Sequence, residues 1–173
     1  MHACWDREWI KKIKLVQGYN FLGTELLVMA SKKGKWEYEA VETLLKGKVV
    51  PLKEGISFKD NDGNYHHNIR VRWWDQEATT YQKTFMGPES ARTHIPDDEI
   101  EGDHLVEYSH NDPPLFLGHY WMEGRPKRLA ENIACLDYSV AIPGGKLVAY
   151  RWNGERVLKD ENFVSVDRIE PTF

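Results

Sequence analysis

The sequence predicts a mixed α+β domain spanning residues 1–173, and three observations support this fold class. Apolar residues recur at helical spacing across residues 6–47. Residues 65–74 alternate between apolar and polar side chains, as in a strand with one buried face. From residue 133 to residue 158, after a predicted helical turn at residues 126–131, short apolar runs are separated by turn signals, which is typical of a β-meander. The turns are predicted at Pro143-Gly144-Gly145 and at Asn153-Gly154, the second leading to a return strand at residues 156–158. A chain of 173 residues is long enough for one ordinary domain with a hydrophobic core.

A short strand is predicted at residues 2–5, and three helices are predicted to follow it. Asp6 is a suitable N-cap for the first, and Ile13 and Val16 fall on its apolar side. Thr24 is a suitable cap for the second helix. A third is predicted from about residue 36 to residue 46, and the lysines between these apolar stripes are interpreted as solvated faces.

A hairpin follows, with its turn predicted at residues 61–64. In its second strand Ile69, Val71 and Trp73 share the predicted buried face, which leaves Arg70 and Arg72 on the polar face. Guanidinium groups suit phosphate because their planar fork donates two hydrogen bonds at once. A surface ladder in which both arginines pair with carboxylates is an equally good interpretation.

Residues 79–112 show little periodicity, so they are predicted to form a long irregular loop. Their histidines, together with the pair at 66–67, could make a zinc site, but no regular ligand spacing supports one and a histidine-rich surface is the preferred interpretation. The next apolar run, Leu115 to Leu117, predicts a buried strand. Gly118 would let the chain turn sharply or approach another atom closely there, and would place His119, a residue type that often binds metals, at the rim of a sheet.

Composition limits the function. A net charge of −4 and a sequence pI near 6.0 argue against a nucleic-acid binder or a membrane-surface binder. The longest apolar runs are too short to span a membrane, and the charged N-terminus is unlike a signal peptide. Cys4 and Cys135 are expected to be reduced thiols of a cytoplasmic protein, although they could pair in principle. P-loop, Rossmann, esterase-elbow and zincin motifs are not found in the sequence.

Several segments, in this order, resemble a known family. They are His2-Ala3-Cys4, the run from 115 to 121 (Leu-Phe-Leu-Gly-His-Tyr-Trp), residues 132–141 and Gly144-Gly145-Lys146-Leu147. Together they look like the C-terminal half of a calcineurin-like metallophosphoesterase, in the branch of bacterial serine/threonine phosphatases and symmetrical diadenosine-tetraphosphate hydrolases. His2 matches the family's His-Ala-Gly step and His119 its Gly-His-Thr step. Cys4 and Tyr120 depart from these patterns.

The resemblance implies a β-sandwich flanked by helices, with residues 6–47 as a helical insert beside the active site and a C-terminal β-meander. It implies hydrolysis of a phosphoester substrate by two divalent ions, Mn, Fe, Zn or Mg, that activate water and neutralise charge. His2 and His119 would each give an imidazole ligand to one ion. Candidate phosphate or substrate contacts are Arg72, Arg92, Asp137 and Tyr138. For the last two, a turn cap and a half-buried ring are the alternatives.

The family's earlier motifs, Asp-x-His, Gly-Asp-x-x-Asp and Gly-Asn-His-Glu, do not precede His2. Without their carboxylates little offsets the repulsion of two dications, so the chain alone is expected to hold no dinuclear cluster and to be inactive. The alternative function is a non-catalytic interaction or oligomerisation domain derived from a phosphatase, in which the old substrate cleft or an uncovered sheet edge binds a partner, such as a second copy of the chain in a homo-oligomer.

Overall fold

The computed structural model describes residues 2–17, 23–59, 63–87 and 89–169. The predicted mixed α+β class is confirmed, because these residues form helices and several small sheets. The chain divides into two compact units, an N-terminal unit of Cys4–Glu107 and a C-terminal unit of Met1–Ala3 with Tyr108–Phe173. In the described ranges, no helix has the length and apolar character needed to cross a bilayer.

Three helices of the N-terminal unit surround a small apolar core: α1 (Arg7–Gln17), α2 (Thr24–Ala30) and α3 (Trp36–Lys46). Asp6 caps α1 as predicted, accepting hydrogen bonds from the backbone of Glu8 and Trp9 at 3.0 and 3.1 Å. The core consists of one or two buried residues from each helix: Ile13, Leu26, Ala40 and Leu44.

Two details of the helix prediction are wrong. The N-cap of α2 is Gly23, and Thr24 is the first helical residue. Val16 is 59% exposed, because the short α2 and α3 cover only the side of α1 that carries Ile13.

The strands of the N-terminal unit are β1 (Val49–Pro51), β2 (Phe58–Lys59), β3 (Tyr65–His66) and β4 (Asn68–Arg70). The predicted hairpin exists, since β2 pairs antiparallel with β3, although residues 60–62 of its turn lie outside the described residues. The predicted continuous strand to Trp73 is wrong. At residue 67 the chain changes partner, because β4 pairs with β1. After Val71 it turns, with the Trp73 amide donating to the Val71 carbonyl.

The segment predicted to be an irregular loop, residues 79–112, contains two short helices, α4 (Tyr81–Thr84) and α5 (Glu89–Arg92). Thr80 caps α4 by accepting a hydrogen bond from the Lys83 amide. Tyr81 and Phe85 are almost completely buried. Residues 79–107 of this segment are therefore part of the packed N-terminal unit, and residues 108–112 belong to the C-terminal unit.

The C-terminal unit contains two three-stranded sheets. Its strands are β5 (Leu115–Leu117), β6 (Arg128–Ala130), β7 (Ile133–Cys135), β8 (Asp137–Tyr138), β9 (Lys146–Tyr150) and β10 (Phe163–Asp167). β5 pairs parallel with β7, which pairs antiparallel with β6 on its other side. The helical turn predicted at residues 126–131 is wrong, because β6 occupies that segment.

The second sheet has the order β10–β9–β8 and is antiparallel throughout. The predicted return strand at residues 156–158 is wrong, because the strand that pairs with β9 begins only at Phe163. The Tyr150 hydroxyl donates to the Glu155 carboxylate at 2.7 Å and accepts from the Lys159 amide at 2.8 Å. These contacts fold residues 151–162 into a compact loop. They outweigh the preference of Asn153 and Gly154 for a tight hairpin turn.

The Glu155 hydrogen bonds should make the stability of this loop dependent on pH. The hydrogen bond from Tyr150 is the largest cause that lowers the pKa of Glu155 from 4.5 to about 2. A carboxyl whose pKa is lower in the folded state stabilises that state above its unfolded pKa, and this contribution disappears as pH falls through the folded pKa.

We therefore expect Glu155→Gln to lower the melting temperature at neutral pH, with the difference from wild type shrinking as pH falls from about 4.5 to about 2. Thermal unfolding followed by circular dichroism at several pH values would measure it. The matched control is Glu161→Gln on the neighbouring 3-10 turn (Asp160–Asn162). A pH-independent effect of Glu155→Gln, or an equal effect of the control, would contradict this account of the loop.

Candidate functional site

The candidate site is built where β5 ends. The strand stops at Leu117 as predicted, and the chain turns at the next two residues. The turn is made by His119, whose φ is 68°. Gly118 does not adopt a positive φ. A Cβ on Gly118 would meet the His2 carbonyl oxygen at 3.6 Å, an ordinary contact. Neither the sharp turn nor the close approach expected of glycine at this position is found.

Asp137, at the start of β8, holds this turn in place. Its carboxylate accepts the backbone N–H of His119 at 2.9 Å through one oxygen and that of Ser139 at 3.1 Å through the other. Its carbonyl accepts the Met122 amide at 2.9 Å. His119, Trp121 and Ser139 all have positive φ, a conformation that costs energy outside glycine. The carboxylate satisfies two of the backbone donors that this conformation creates.

His2 is brought to the same place by two hydrogen bonds. The Gly118 amide donates to the His2 carbonyl at 2.7 Å, and the buried Tyr120 hydroxyl donates to the Ala3 carbonyl at 2.8 Å. Residues 2–5 form no strand, contrary to the prediction, because these bonds tie the chain at single points and make no ladder. Tyr120 therefore acts as an anchor for the N-terminal segment.

The result is a close pair of imidazoles. The ring centroids of His2 and His119 lie 5.3 Å apart with an angle of 45° between the ring planes. The His119 ring also lies 6.5 Å from the ring of Trp121, which is 68% exposed. His2 is exposed and His119 half-buried, so the pair is accessible to a solute.

The spacing of the pair fits two ligands of one metal ion. With a Zn–N distance of about 2.1 Å, each ring centroid lies about 3.2 Å from the ion, and a tetrahedral angle places the centroids about 5.2 Å apart. The observed 5.3 Å agrees with this value and is also the centroid separation of the Phe58–His66 ring contact, so the distance permits a shared ion without requiring one. No group of three or more His, Cys, Asp or Glu side chains suited to a metal ion occurs among the described residues.

Asp137 and Tyr138, the predicted substrate contacts from β8, have structural positions. Both carboxylate oxygens of Asp137 accept backbone amides, in line with the turn-cap alternative. Tyr138 is 3% exposed, and its hydroxyl accepts the Lys127 amide at 3.2 Å. Burial raises the pKa of Tyr138. The Tyr138 ring therefore belongs to the core and is more deeply buried than the half-buried ring expected as the alternative.

Arg72 and Arg92 both belong to the N-terminal unit. The Arg92 guanidinium donates to the Glu89 carboxylate at 2.9 Å and to the Gln82 carbonyl at 2.8 Å. Burial, and then the nearby charge of Arg92, lower the pKa of Arg72, which lies 4.0 Å from the Asp75 carboxylate. These contacts give both arginines structural roles in their own unit.

The other histidines of the described chain do not form the zinc cluster considered above. The His66 ring stacks on Phe58 at 5.3 Å, and the His104 ring contacts the Ala78 carbonyl at 3.1 Å. Cys4 and Cys135 are free and buried, as expected for reduced thiols. Burial raises the pKa of both, that of Cys135 to about 11, so neither is a reactive thiolate at neutral pH.

The N-terminal unit also carries an open groove of about 810 Å³. Its walls come from α1, α3, β1 and the segment before residue 108, and they mix basic side chains (Arg7, Lys11, Lys12, Lys48) with acidic ones (Asp6, Glu8, Glu39, Asp103, Glu107). Lys48 is bound to Asp103 at 2.8 Å. A lining of both charges gives no preference for a phosphate group.

Two residues of the site were not singled out from the sequence. Tyr120 anchors the N-terminal segment, and its departure from the family's threonine was the only signal. Gly145 lies so close to the Ser139 carbonyl that a Cβ there would overlap it, which fixes the turn between β8 and β9. The Gly-Gly pair was recognised only as a turn.

No family model matches the chain, and no curated protein or solved structure shows significant similarity to it.

Proposed function

We propose that the C-terminal unit carries the histidine half of a metallophosphoesterase-type metal site, and that the complete site hydrolyses phosphoesters with divalent ions. The observation that carries the proposal is the spacing of 5.3 Å between the rings of His2 and His119, which are far apart in sequence. The segments around them are those that resemble the phosphatase family.

The way the pair is held supports this proposal. The backbone N–H of His119 donates to Asp137, and the His2 carbonyl accepts from Gly118, so backbone groups fix the position of both residues. Neutral imidazole is a common ligand of divalent transition metals. Holding ligands by their backbones is a way to preorganise a site.

The histidine pair supplies no negative charge to a metal site. Two neutral ligands do not offset the repulsion between two dications, so we expect at most one weakly held ion on the described residues. Carboxylates from elsewhere must complete a hydrolytic centre. The sandwich fold, the identity of the phosphoester and the cytoplasmic location stay predictions.

Calorimetric titration with Zn²⁺ tests the pair directly. We expect one ion per chain, with affinity falling about tenfold or more in His2→Ala and in His119→Asn. Asparagine is chosen at 119 because it tolerates positive φ, which separates loss of the ligand from distortion of the turn. His110→Ala is the control and should bind as wild type. Equal binding by all four proteins would refute the shared site.

Turnover of para-nitrophenyl phosphate with excess Mn²⁺ tests the expected inactivity. We predict a rate at the level of the metal blank. Robust turnover that disappears in His119→Ala would show that the chain already holds a complete centre. Robust turnover retained in that variant would place the activity away from the histidine pair.

A second candidate function is a non-catalytic interaction domain. The observation that favours it is an exposed apolar surface on β9 and β10, where Leu147 and Val166 are 62% and 66% exposed. Exposed apolar sheet surfaces often mark contacts with other proteins.

A further inference from the structure

β10 is an outer strand of its sheet, with one edge left unpaired by the part of the chain that the structure describes. Among the described residues only β9 pairs with it. Native edge strands are commonly blunted by lysine, proline or a bulge. Phe163–Asp167 contains neither residue and pairs with β9 in unbroken register.

The hydrogen-bond pattern shows which backbone groups face outward. The Arg151 amide donates to the Asn162 carbonyl, and the Arg168 amide donates to the Gly145 carbonyl, both at 3.0 Å. Bonded and non-bonded pairs alternate in an antiparallel ladder. Between these two bonds, Val164 and Val166 therefore bond to β9. Phe163, Ser165 and Asp167 direct their N–H and C=O groups to the free edge.

The side chains beside this edge form a small apolar surface. In the register of the sheet Val166 faces Leu147, and Val164 faces Ala149. Val164 is 39% exposed, and the Leu147–Val166 pair is more exposed still. Two rows of apolar side chains, Leu147 with Val166 and Ala149 with Val164, thus end at this strand edge.

We propose that this edge binds the β10 strand of a second copy of the chain, antiparallel, about a two-fold axis at Ser165. Only the odd-numbered residues of β10 direct their backbone N–H and C=O groups to the free edge. Ser165 would therefore bond to the partner's Ser165, and Phe163 to the partner's Asp167. Val164 then faces the partner's Val166. This register extends each apolar row across four strands, from Leu147 through Val166 and the partner's Val164 to the partner's Ala149.

A second copy is the occupant because the edge is self-complementary. Under the two-fold axis every outward donor meets an outward acceptor, and valine meets valine. Isologous pairing of this kind closes at two subunits. The inference gives the interaction-domain candidate a defined surface and partner, and it does not depend on the histidine pair.

Disulfide trapping tests the register. Ser165→Cys should form a covalent dimer under mild oxidation, because Cα atoms of a bonded antiparallel pair lie about 5.5 Å apart, within the range a disulfide spans. The native cysteines are buried and should not interfere. Val157→Cys, at a residue 49% exposed in the same unit, is the control. Trapping no greater than in the control would overturn the proposal.

Sedimentation equilibrium tests the association without a cross-link. Val166→Lys and Ser165→Pro should each weaken dimerisation about tenfold or more, whereas Ser165→Thr should retain it. Proline at 165 removes only an outward N–H, so the bonds to β9 survive. His119→Ala should dimerise as wild type, which separates this result from the metal site. A wild-type chain that stays monomeric up to about 1 mM would overturn the inference.

Discussion

Gly145→Ala is expected to destabilise the C-terminal unit by about 3 kcal/mol, because a methyl group there would overlap the backbone carbonyl of Ser139. The obstacle is main chain and cannot rotate away, so the turn between β8 and β9 must open. Ser139 donates one of the two amides that bind the Asp137 carboxylate. The effect should therefore reach the histidine turn, and chemical denaturation would measure the loss in the free energy of unfolding.

Gly144→Ala is the matched control for this experiment. Gly144 has a φ of 78° but open space where a Cβ would lie. Its substitution should cost only the strain of positive φ, about 1 kcal/mol, and Gly144→Asn less. Equal losses for Gly144→Ala and Gly145→Ala would show that the close approach to Ser139 is not what requires glycine.

Asp137→Asn is expected to have the second large effect, on both stability and ion binding. The amide NH₂ of asparagine would face one of the two backbone N–H groups that the carboxylate now accepts, from His119 or Ser139. Losing one charge-assisted bond and leaving a donor without an acceptor should cost about 2 kcal/mol. Because His119 is then less well held, Zn²⁺ affinity should fall about tenfold although the residue touches no ion.

Asp160→Asn is the control, since this exposed carboxylate accepts a single backbone amide, that of Arg128, at 2.9 Å. It should cost about 0.5 kcal/mol and leave Zn²⁺ binding unchanged. Asp137 would lose its assigned role if Asp137→Asn matched wild type in Zn²⁺ affinity, or if both aspartate variants weakened it equally.

Local signals were sufficient to predict the three N-terminal helices and the end of β5. The spacing in α3 and the cap at Asp6 depend on neighbours within one or two turns, so the sequence shows them directly. The apolar run before Gly118 likewise gives both limits of β5. The sequence does not predict a feature whose position depends on contacts between residues far apart in the chain. The return strand was placed too early because Tyr150 binds Glu155, Lys159 and Asn162 across the loop.

In the candidate site, too, the sequence predicts some features and misses those that depend on distant contacts. The family resemblance singled out His2 and His119, and the structure places their rings together. It does not bring Arg72 or Arg92 into the unit that holds them, and it gives Asp137 and Tyr138 structural contacts. The acceptor that lets His119 adopt positive φ lies 18 residues away in sequence, and a motif of neighbouring letters cannot reveal it. Whether the pair binds metal stays a prediction.

The most direct test of the central claim, that His2 and His119 share one ion, is an NMR titration of the histidine ring nitrogens with Zn²⁺. The account predicts that signals of these two rings change together and saturate at one ion per chain. The signals of His66, His67, His94, His104 and His110 should stay in place. Independent changes of His2 and His119, or saturation that first involves the other histidines, would contradict it.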